Sequence, residues 1–177
     1  VIRSLGINFG APGQRKEDDV LWVEYPRGYD GGPELPVKIE PDAVKWFGHH
    51  ATWIKNPEEQ YNWVASYGAE GISSISADLV PKGSLDEVSY TIALYFAEPG
   101  NLTSGERVFD VSIQGEKVLE NFDVAQQAGG TRRVLRKEFK DIQVEDSLRI
   151  EFSNHTRPTV ISGIEITMDN QTSGENN

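Results

Sequence analysis

The stretch Arg107-Val-Phe-Asp-Val-Ser-Ile113 decides the fold, because apolar and polar side chains alternate along it. Its third, fifth and seventh residues are apolar and would face one side of a strand, with Asp110 and Ser112 on the other. Gln114-Gly115 then supplies a two-residue turn into Glu116-Lys-Val-Leu119. The sequence therefore predicts a β-hairpin here.

Further segments of the same character follow and precede this hairpin. They are residues 90–96, 133–139, 147–152 and 160–166. No amphipathic stretch of helix length separates them, which favours antiparallel sheets with one face on a core. We expect an all-β fold: an antiparallel two-sheet sandwich.

The first half of the chain has a different composition. After an opening strand, Leu5-Gly-Ile-Asn-Phe9, it is rich in Gly, Pro, Tyr and Trp up to about residue 70, and it holds all four tryptophans. Long irregular stretches in a compact domain are usually functional or contain short strands. Residues 71–76 should return to the sheet. We expect one domain over residues 1–168 and a disordered tail over 169–177, because the tail is polar and poor in apolar residues.

Composition excludes several classes of function. The chain has 177 residues, no cysteine and a formal net charge of −11. Disulfides, thiolate zinc sites and a cysteine nucleophile are therefore excluded, and a phosphate backbone or an anionic membrane surface would be repelled. No apolar run reaches the roughly 20 residues that span a bilayer. A start at Val1 without an initiator methionine leads us to expect a piece of a longer protein.

Three motifs resemble a known family. They are Tyr90-Thr-Ile-Ala-Leu-Tyr-Phe-Ala-Glu98, Arg107-Val-Phe-Asp-Val111 and Asn121-Phe-Asp-Val124. Together with the opening Gly6-Ile-Asn-Phe-Gly10, they resemble the malectin and malectin-like family, also grouped as carbohydrate-binding module family 57. The run Ile7-Asn-Phe-Gly-Ala-Pro-Gly13 is similar to malectin-like domains of large bacterial surface proteins.

The resemblance implies a galactose-binding-like jelly roll that holds neutral, glucan-like sugars on loops at one end of the sandwich. It also implies a secreted, periplasmic or cell-surface location. The family's sugar-stacking aromatics follow Phe-Ala-Glu, but residues 99–106 here contain no aromatic residue, and residues 154–158 lack the family's carboxylate. The fold is therefore expected to carry over, and the sugar specificity is not.

A sugar site needs flat apolar faces and planar polar groups, and the first half of the chain supplies both. Gly-flanked Tyr29 and its neighbour Asp30 suit an exposed loop tip. The candidate ligand-binding residues are Tyr25, Tyr29, Asp30, Trp46, His49, Trp53 and Tyr61.

No residue pattern indicates catalysis or a bound cofactor. Nucleophile elbows and phosphate-binding loops are absent from the sequence. Neighbouring His49 and His50 would point to opposite faces of a strand, which disfavours zinc, although Asp18-Asp19, Asp30 and Asp42 leave a structural calcium open.

Two functions remain open. The sequence favours a non-catalytic carbohydrate-binding module whose partners are a neutral oligosaccharide or polysaccharide and the other domains of its parent protein. The alternative is a structural or protein–protein interaction module of a larger extracellular protein that has lost sugar binding.

Overall fold

The computed structural model describes residues 1–26, 35–56, 60–84 and 87–170. Strands dominate these ranges, and helices are short. The strands are β1 (Ser4–Phe9), β2 (Arg15–Glu17), β3 (Val20–Tyr25), β4 (Val37–Glu40), β5 (Lys45–Gly48), β6 (Tyr67–Glu70), β7 (Ser74–Asp78), β8 (Val88–Phe96), β9 (Phe109–Ile113), β10 (Glu116–Phe122), β11 (Leu135–Val144), β12 (Ser147–Ser153), β13 (Val160–Ile161) and β14 (Gly163–Met168). A 3-10 turn (Ala51–Trp53) and two helices, α1 (Asn62–Ala65) and α2 (Val124–Ala128), lie between them.

The strands form two large sheets and one small sheet. The first sheet has the order β11-β8-β14-β1-β3-β2, and the second has the order β10-β9-β12-β7-β4. The small sheet, β13-β6-β5, is built mainly from the Trp-rich part of the chain. The expected all-β sandwich is confirmed.

Alternating side chains from the two large sheets fill the main core. Ile7, Phe96, Phe109 and Ile150 are all fully buried in it. Burying one such side chain contributes about 1.5–3 kcal/mol. A cluster of phenylalanines closes one region, with Phe122 stacked edge-on to Phe96 at 4.9 Å between ring centroids. The alternation of apolar and polar residues along the sequence thus corresponds to an alternation of buried and exposed side chains along the strands.

A second apolar cluster covers the outer face of the first sheet. Trp22 and Tyr95 point outward from that sheet, and Tyr61 and Val64 of the α1 region pack on them. The hydroxyl of Tyr61 donates to Asp18 Oδ2 at 2.7 Å, which ties α1 to the turn between β2 and β3. The outer face that would ordinarily be solvated is therefore partly buried here.

A buried network of ion pairs joins two of the sequence motifs, because it contains Glu98 at the end of one and Arg107 at the start of the other. Arg107 Nε donates to Glu98 Oε2 at 2.8 Å, and Arg107 Nη2 donates to Glu70 Oε2 at 2.7 Å. Arg107 is 4% exposed, and Glu98 is fully buried. Burial works to raise the pKa of Glu70, but hydrogen bonds and charge from Arg107 and Lys45 hold that pKa below its ordinary value. Arg107 thus connects its own segment to the segments that contain Glu70 and Glu98.

Two local features differ from the sequence expectation. β1 and β3 pair in parallel, with Gly6 opposite Trp22, whereas we expected antiparallel pairing throughout. The chain can do this because β2 and the turn after it reverse the direction between them. The pair Gly129-Gly130 would be expected to form a turn between strands, but Gly129 instead caps the short helix α2 with φ +76°.

The end of the described chain is attached to the sheet. Asp169 Oδ1 accepts from Thr91 Oγ1 at 2.6 Å, and Asp169 N donates to Ser89 O at 2.9 Å. Residues 171–177, most of the segment expected to be disordered, lie outside the described residues.

Within the four described ranges, no helix has the length and apolar character needed to cross a bilayer. The same ranges hold no group of three or more His, Asp or Glu side chains arranged to bind a metal ion. Asp18, one of the candidate calcium ligands, accepts hydrogen bonds from Tyr61 and Gln60.

Candidate functional site

A cavity of about 360 Å³ lies on the outer face of the first sheet. Asn8 of β1 and Trp22 of β3 contribute to it from the sheet, and Trp63 and Tyr67 contribute from α1 and β6. Residues 11–15, between β1 and β2, form the remaining wall. The cavity therefore collects aromatic side chains from three separate parts of the Trp-rich half.

Glycines make room for the central indole. A Cβ on Gly6 would lie 2.3 Å from Trp22 Cδ2, and a Cβ on Gly163 would lie 3.2 Å from Trp22 Cζ3. The ring thus lies flat across β1 and β14, where any side chain would displace it. Trp22 is 1% exposed, so the cavity is built on a fixed aromatic base.

Edge-to-face contacts position the aromatic walls. The ring of Trp63 meets that of Trp22 at 5.3 Å between centroids and an interplanar angle of 83°. Tyr67 packs on Gly48, where a Cβ would lie 2.6 Å from Tyr67 Cε1. Trp63 and Tyr67 are each partly exposed, unlike Trp22, so they can offer surface to a ligand.

Residues 11–15 are held in place by a hydrogen bond to β3, and they include a cation, Arg15, at the edge of the cavity. Gly13 N donates to the buried carboxylate of Glu24, which fixes the course of this segment. The guanidinium of Arg15 lies 4.6 Å from the ring centroid of Trp63, and it also pairs with Glu17 at 3.4 Å. A cation over an indole face is attracted by the ring quadrupole. Arg15 thus covers part of one aromatic wall.

Two polar atoms of the cavity residues have no partner among the described residues. They are Asn8 Oδ1, an acceptor, and Trp22 Nε1, a donor. Leaving a buried polar group without a hydrogen bond costs about 1–3 kcal/mol, so such atoms are few in native proteins. Both residues line the same cavity. A ligand with hydroxyl groups would form hydrogen bonds to these two atoms and so compensate the cost.

The tyrosines under the cavity remain neutral phenols. Burial, the hydrogen bond to Asp18 and the nearby charge of Glu165 raise the pKa of Tyr61 above its ordinary value. Burial and the hydrogen bond to Glu165 raise the pKa of Tyr95 in the same way. Both hydroxyls donate to carboxylates, which makes them structural supports of the α1 region.

The structure separates the sequence-predicted site residues into three groups. Tyr25 and Trp46 form an aromatic pair at 6.4 Å beside the main core, and His49 stacks on Trp53 at 4.2 Å. Tyr61 is 9% exposed and lies among Trp22, Trp63 and Tyr95. Tyr29 and Asp30 lie outside the described residues. Ligand binding by these seven residues stays a prediction.

The cavity residues were only partly foreseeable. Trp63 and Tyr67 belong to the aromatic region that the sequence singles out, but Asn8 and Arg15 do not. The available signal for Asn8 was a polar residue inside an otherwise apolar strand, Leu5-Gly-Ile-Asn-Phe9. No pattern in the sequence marked Arg15.

Several known proteins resemble this chain. The fold matches a β-glucuronidase of Bacteroides uniformis at a TM-score of 0.70 and 20% identity, covering 94% of this chain and 18% of that one. It also matches the extracellular domain of ANXUR2 from Arabidopsis thaliana at a TM-score of 0.66 and 17% identity, covering 94% of this chain and 41% of that one. The plant receptor-like kinase FER, in a complex with the peptide RALF23 and LLG2, matches at 0.63 and 18% identity, covering 98% and 42%.

Similarities of sequence are more restricted. An LRR receptor-like serine/threonine-protein kinase of Arabidopsis thaliana is 34% identical over 65 residues, which is 33% of this chain and 6% of the kinase. This chain thus spans only a minor part of the relatives that it matches. The family model described as the Malectin domain matches residues 76–172, more than half of the chain, and it includes all three motifs that carried the resemblance. The chain belongs to the malectin domain family.

Proposed function

We propose that this domain is a non-catalytic carbohydrate-binding module that takes a neutral sugar ring into the cavity between Trp22, Trp63 and Tyr67. The observation that carries the proposal is the pair of partnerless polar atoms, Asn8 Oδ1 and Trp22 Nε1, on residues of an aromatic-walled cavity. Sugar rings have apolar C–H faces and a rim of hydroxyls, and this combination of surfaces complements both.

A hydroxyl group matches the two atoms because it carries both a donor and an acceptor. It can accept a hydrogen bond from the indole N–H of Trp22 and donate one to the amide oxygen of Asn8. One hydroxyl, or two on adjacent carbons, would therefore satisfy both atoms. A carboxylate could serve only the indole, because it has no proton to donate at neutral pH.

Access to these atoms requires a movement of the wall. Both atoms are shielded from solvent in this structure. Segment 11–15 is the most exposed wall of the cavity, and among the described residues the side chain of Arg15 stacks on Trp63 and forms an exposed pair with Glu17. Exposed pairs of this kind contribute about 0–1 kcal/mol, so displacing Arg15 costs little.

The family context supports an extracellular role as part of a larger protein. Two of the matching proteins are plant receptor ectodomains, in which this chain corresponds to about two-fifths of the length, 41% and 42%. A binding domain beside catalytic or signalling domains raises the local concentration of its target. We infer that the domain holds its parent protein on a glycan.

Isothermal titration calorimetry with maltose, nigerose and maltohexaose tests the proposal. Binding should be measurable in the wild type, and Trp63→Ala and Tyr67→Ala should each weaken it roughly tenfold or more. Trp46→Ala is the control, because it removes an indole that does not line the cavity. Equal affinity in wild type, Trp63→Ala and Tyr67→Ala, with all three folded, would contradict the site.

One observation favours a second function. The matching FER structure is a complex with the peptide RALF23 and LLG2, so a protein that contains this fold takes part in protein recognition. If wild-type protein binds none of the three glycans while its thermal unfolding stays cooperative, protein recognition becomes the better account.

A further inference from the structure

Three cations that are close in the fold lie outside the described ion pairs of this acidic chain. Lys55, Arg132 and Arg133 have no carboxylate within 4.0 Å among the residues that the structure describes, whereas Arg15, Arg107, Arg136 and several lysines do. Other described cations share this property, and what distinguishes this group is the hydrogen bond that joins Lys55 to Arg132. Their positive field is available to an external anion.

Hydrogen bonds hold Lys55 next to Arg132, and Arg133 follows Arg132 in the chain. Lys55 N donates to Arg132 O at 2.7 Å, and Lys55 Nζ donates to Thr131 Oγ1 at 3.2 Å. Arg132 N in turn donates to Glu98 O at 2.9 Å, which anchors the segment to the chain just after β8. Arg132 has φ +56°, a left-handed conformation that is uncommon for a residue with a side chain. The group is thus built into the fold.

An aromatic stack lies beside the cations. His49 is parallel to Trp53, with 4.2 Å between ring centroids and 16° between planes. The guanidinium of Arg132 lies 5.8 Å from the Trp53 centroid. This region, which we name the Trp53 patch, consists of His49, Trp53, Lys55, Arg132 and Arg133. It combines aromatic rings with cations, the two features that recognise a ring bearing a carboxylate.

The Trp53 patch is continuous with the sugar cavity. Tyr67, a wall of the cavity, packs directly on Gly48, and the next residue, His49, begins the patch. A hydrogen bond of 3.0 Å from His49 N to Ser66 O joins the chain just after β5 to the chain just before β6. An extended ligand leaving the cavity past Tyr67 would therefore reach the cations.

We propose that the Trp53 patch binds the carboxylate of an acidic sugar, so that the preferred ligand is a glycan with both neutral and uronic acid residues. The inference rests on the proposed function, because it takes the occupant of the cavity to be a sugar. The net charge of −11 opposes the approach of a polyanion, so binding of the acidic residue depends on the cations of this patch. Binding of the acidic residue should weaken as salt is added, and binding of the neutral ring should not.

The test uses two probes that differ only in the group at C6. One is maltohexaose, and the other is the same hexamer oxidised to glucuronate at every C6. The variant Lys55→Gln/Arg132→Gln/Arg133→Gln is compared with Arg3→Gln/Lys38→Gln/Lys82→Gln. The control removes three exposed cations that are also outside the described ion pairs, so each variant changes the net charge from −11 to −14.

The wild type should bind the oxidised hexamer more tightly than maltohexaose in 50 mM salt, by roughly tenfold. The patch variant should lose that advantage and keep its affinity for maltohexaose, while the control variant should keep most of it. Equal losses in the two variants would overturn the inference, as would an oxidised hexamer that binds no better than the neutral one. Equal binding of polyglutamate would also overturn it, because the ligand would then be any acidic chain.

These outcomes separate the inference from the proposed function. If the wild type binds maltohexaose and shows no preference for the oxidised hexamer, only the Trp53 patch fails. If the oxidised hexamer binds and Trp63→Ala and Tyr67→Ala have no effect on either probe, the cavity fails as the sugar site.

Discussion

The indole of Trp22 lies directly on Gly6, and a Cβ at that glycine would be 2.3 Å from Trp22 Cδ2. The two residues are also register partners in the parallel pair of β1 and β3. The close approach places the indole flat across the sheet, and the N–H of this cavity-lining residue has no partner among the described residues. One glycine therefore connects the packing of the outer sheet face to the proposed sugar site.

Replacing this glycine should disturb both stability and binding. Gly6→Ala should lower the free energy of unfolding by about 1–3 kcal/mol, because a methyl group forced into a packed site displaces its neighbours. Affinity for maltohexaose should fall as the indole shifts. Gly100→Ala is the control: its Cβ would find its nearest neighbour at an ordinary 3.5 Å, and urea unfolding should show little change. Wild-type stability in Gly6→Ala would contradict the packing described here.

Breaking the buried ion network should lower the free energy of unfolding more than breaking an exposed ion pair. Arg107→Met leaves Glu98 as a fully buried carboxylate without its cation, so the free energy of unfolding should fall by about 3–5 kcal/mol. The exposed pair Arg157–Glu106, 3.7 Å apart, offers the comparison. Arg157→Met should cost no more than about 1 kcal/mol. Similar losses in the two variants would show that the network contributes no more than a surface pair.

The stability of the fold in acid should depend on Asp110. Hydrogen bonds from Lys117, from the backbone of Asn121 and from Asn154 lower the pKa of Asp110 from 3.8 to about 2. Since the folded-state pKa is the lower one, this stabilisation is fully present above 3.8 and is lost as the pH falls toward 2. The difference in unfolding free energy between wild type and Asp110→Asn should therefore shrink over that interval.

Urea unfolding at a series of pH values measures this difference. Asp19→Asn is the control, because the Asp19 side chain is 96% exposed and pairs only with Lys16 among the described residues. A wild-type advantage over Asp110→Asn that stays constant down to pH 2 would contradict the assignment.

The sequence predicts the structure of the second half of the chain better than that of the first half. Ser147–Ser153 and Phe109–Ile113 were recognisable because each strand places one face in the core, and that choice is written into alternate residues. The parallel pairing of β1 with β3 was not recognisable, because no local pattern specifies which distant strand becomes a neighbour. The malectin motifs were recognised from their resemblance to the family, and the structure shows that two of them meet through the buried pair of Glu98 and Arg107.

The candidate site was less accessible to prediction for a physical reason. Its parts come from β1, β3, α1 and β6, which only the folded chain brings together. Aromatic residues also serve two purposes that composition cannot separate. Tyr61 was expected to contact a ligand, but its hydroxyl is bonded to Asp18 and its ring supports Trp22, while Trp63 close by remains partly exposed.

The substitution Asn8→Leu tests the central claim most directly. Leucine has the same number and branching of side-chain heavy atoms and removes the partnerless acceptor, so the free energy of unfolding should stay the same or rise by about 1–3 kcal/mol. Affinity for maltohexaose should fall roughly tenfold or more in the same protein, because a ligand hydroxyl loses its acceptor. Calorimetric titration together with thermal unfolding of this one variant gives both numbers. Weaker sugar binding in a protein at least as stable as wild type is the predicted result, and undiminished binding would contradict the account.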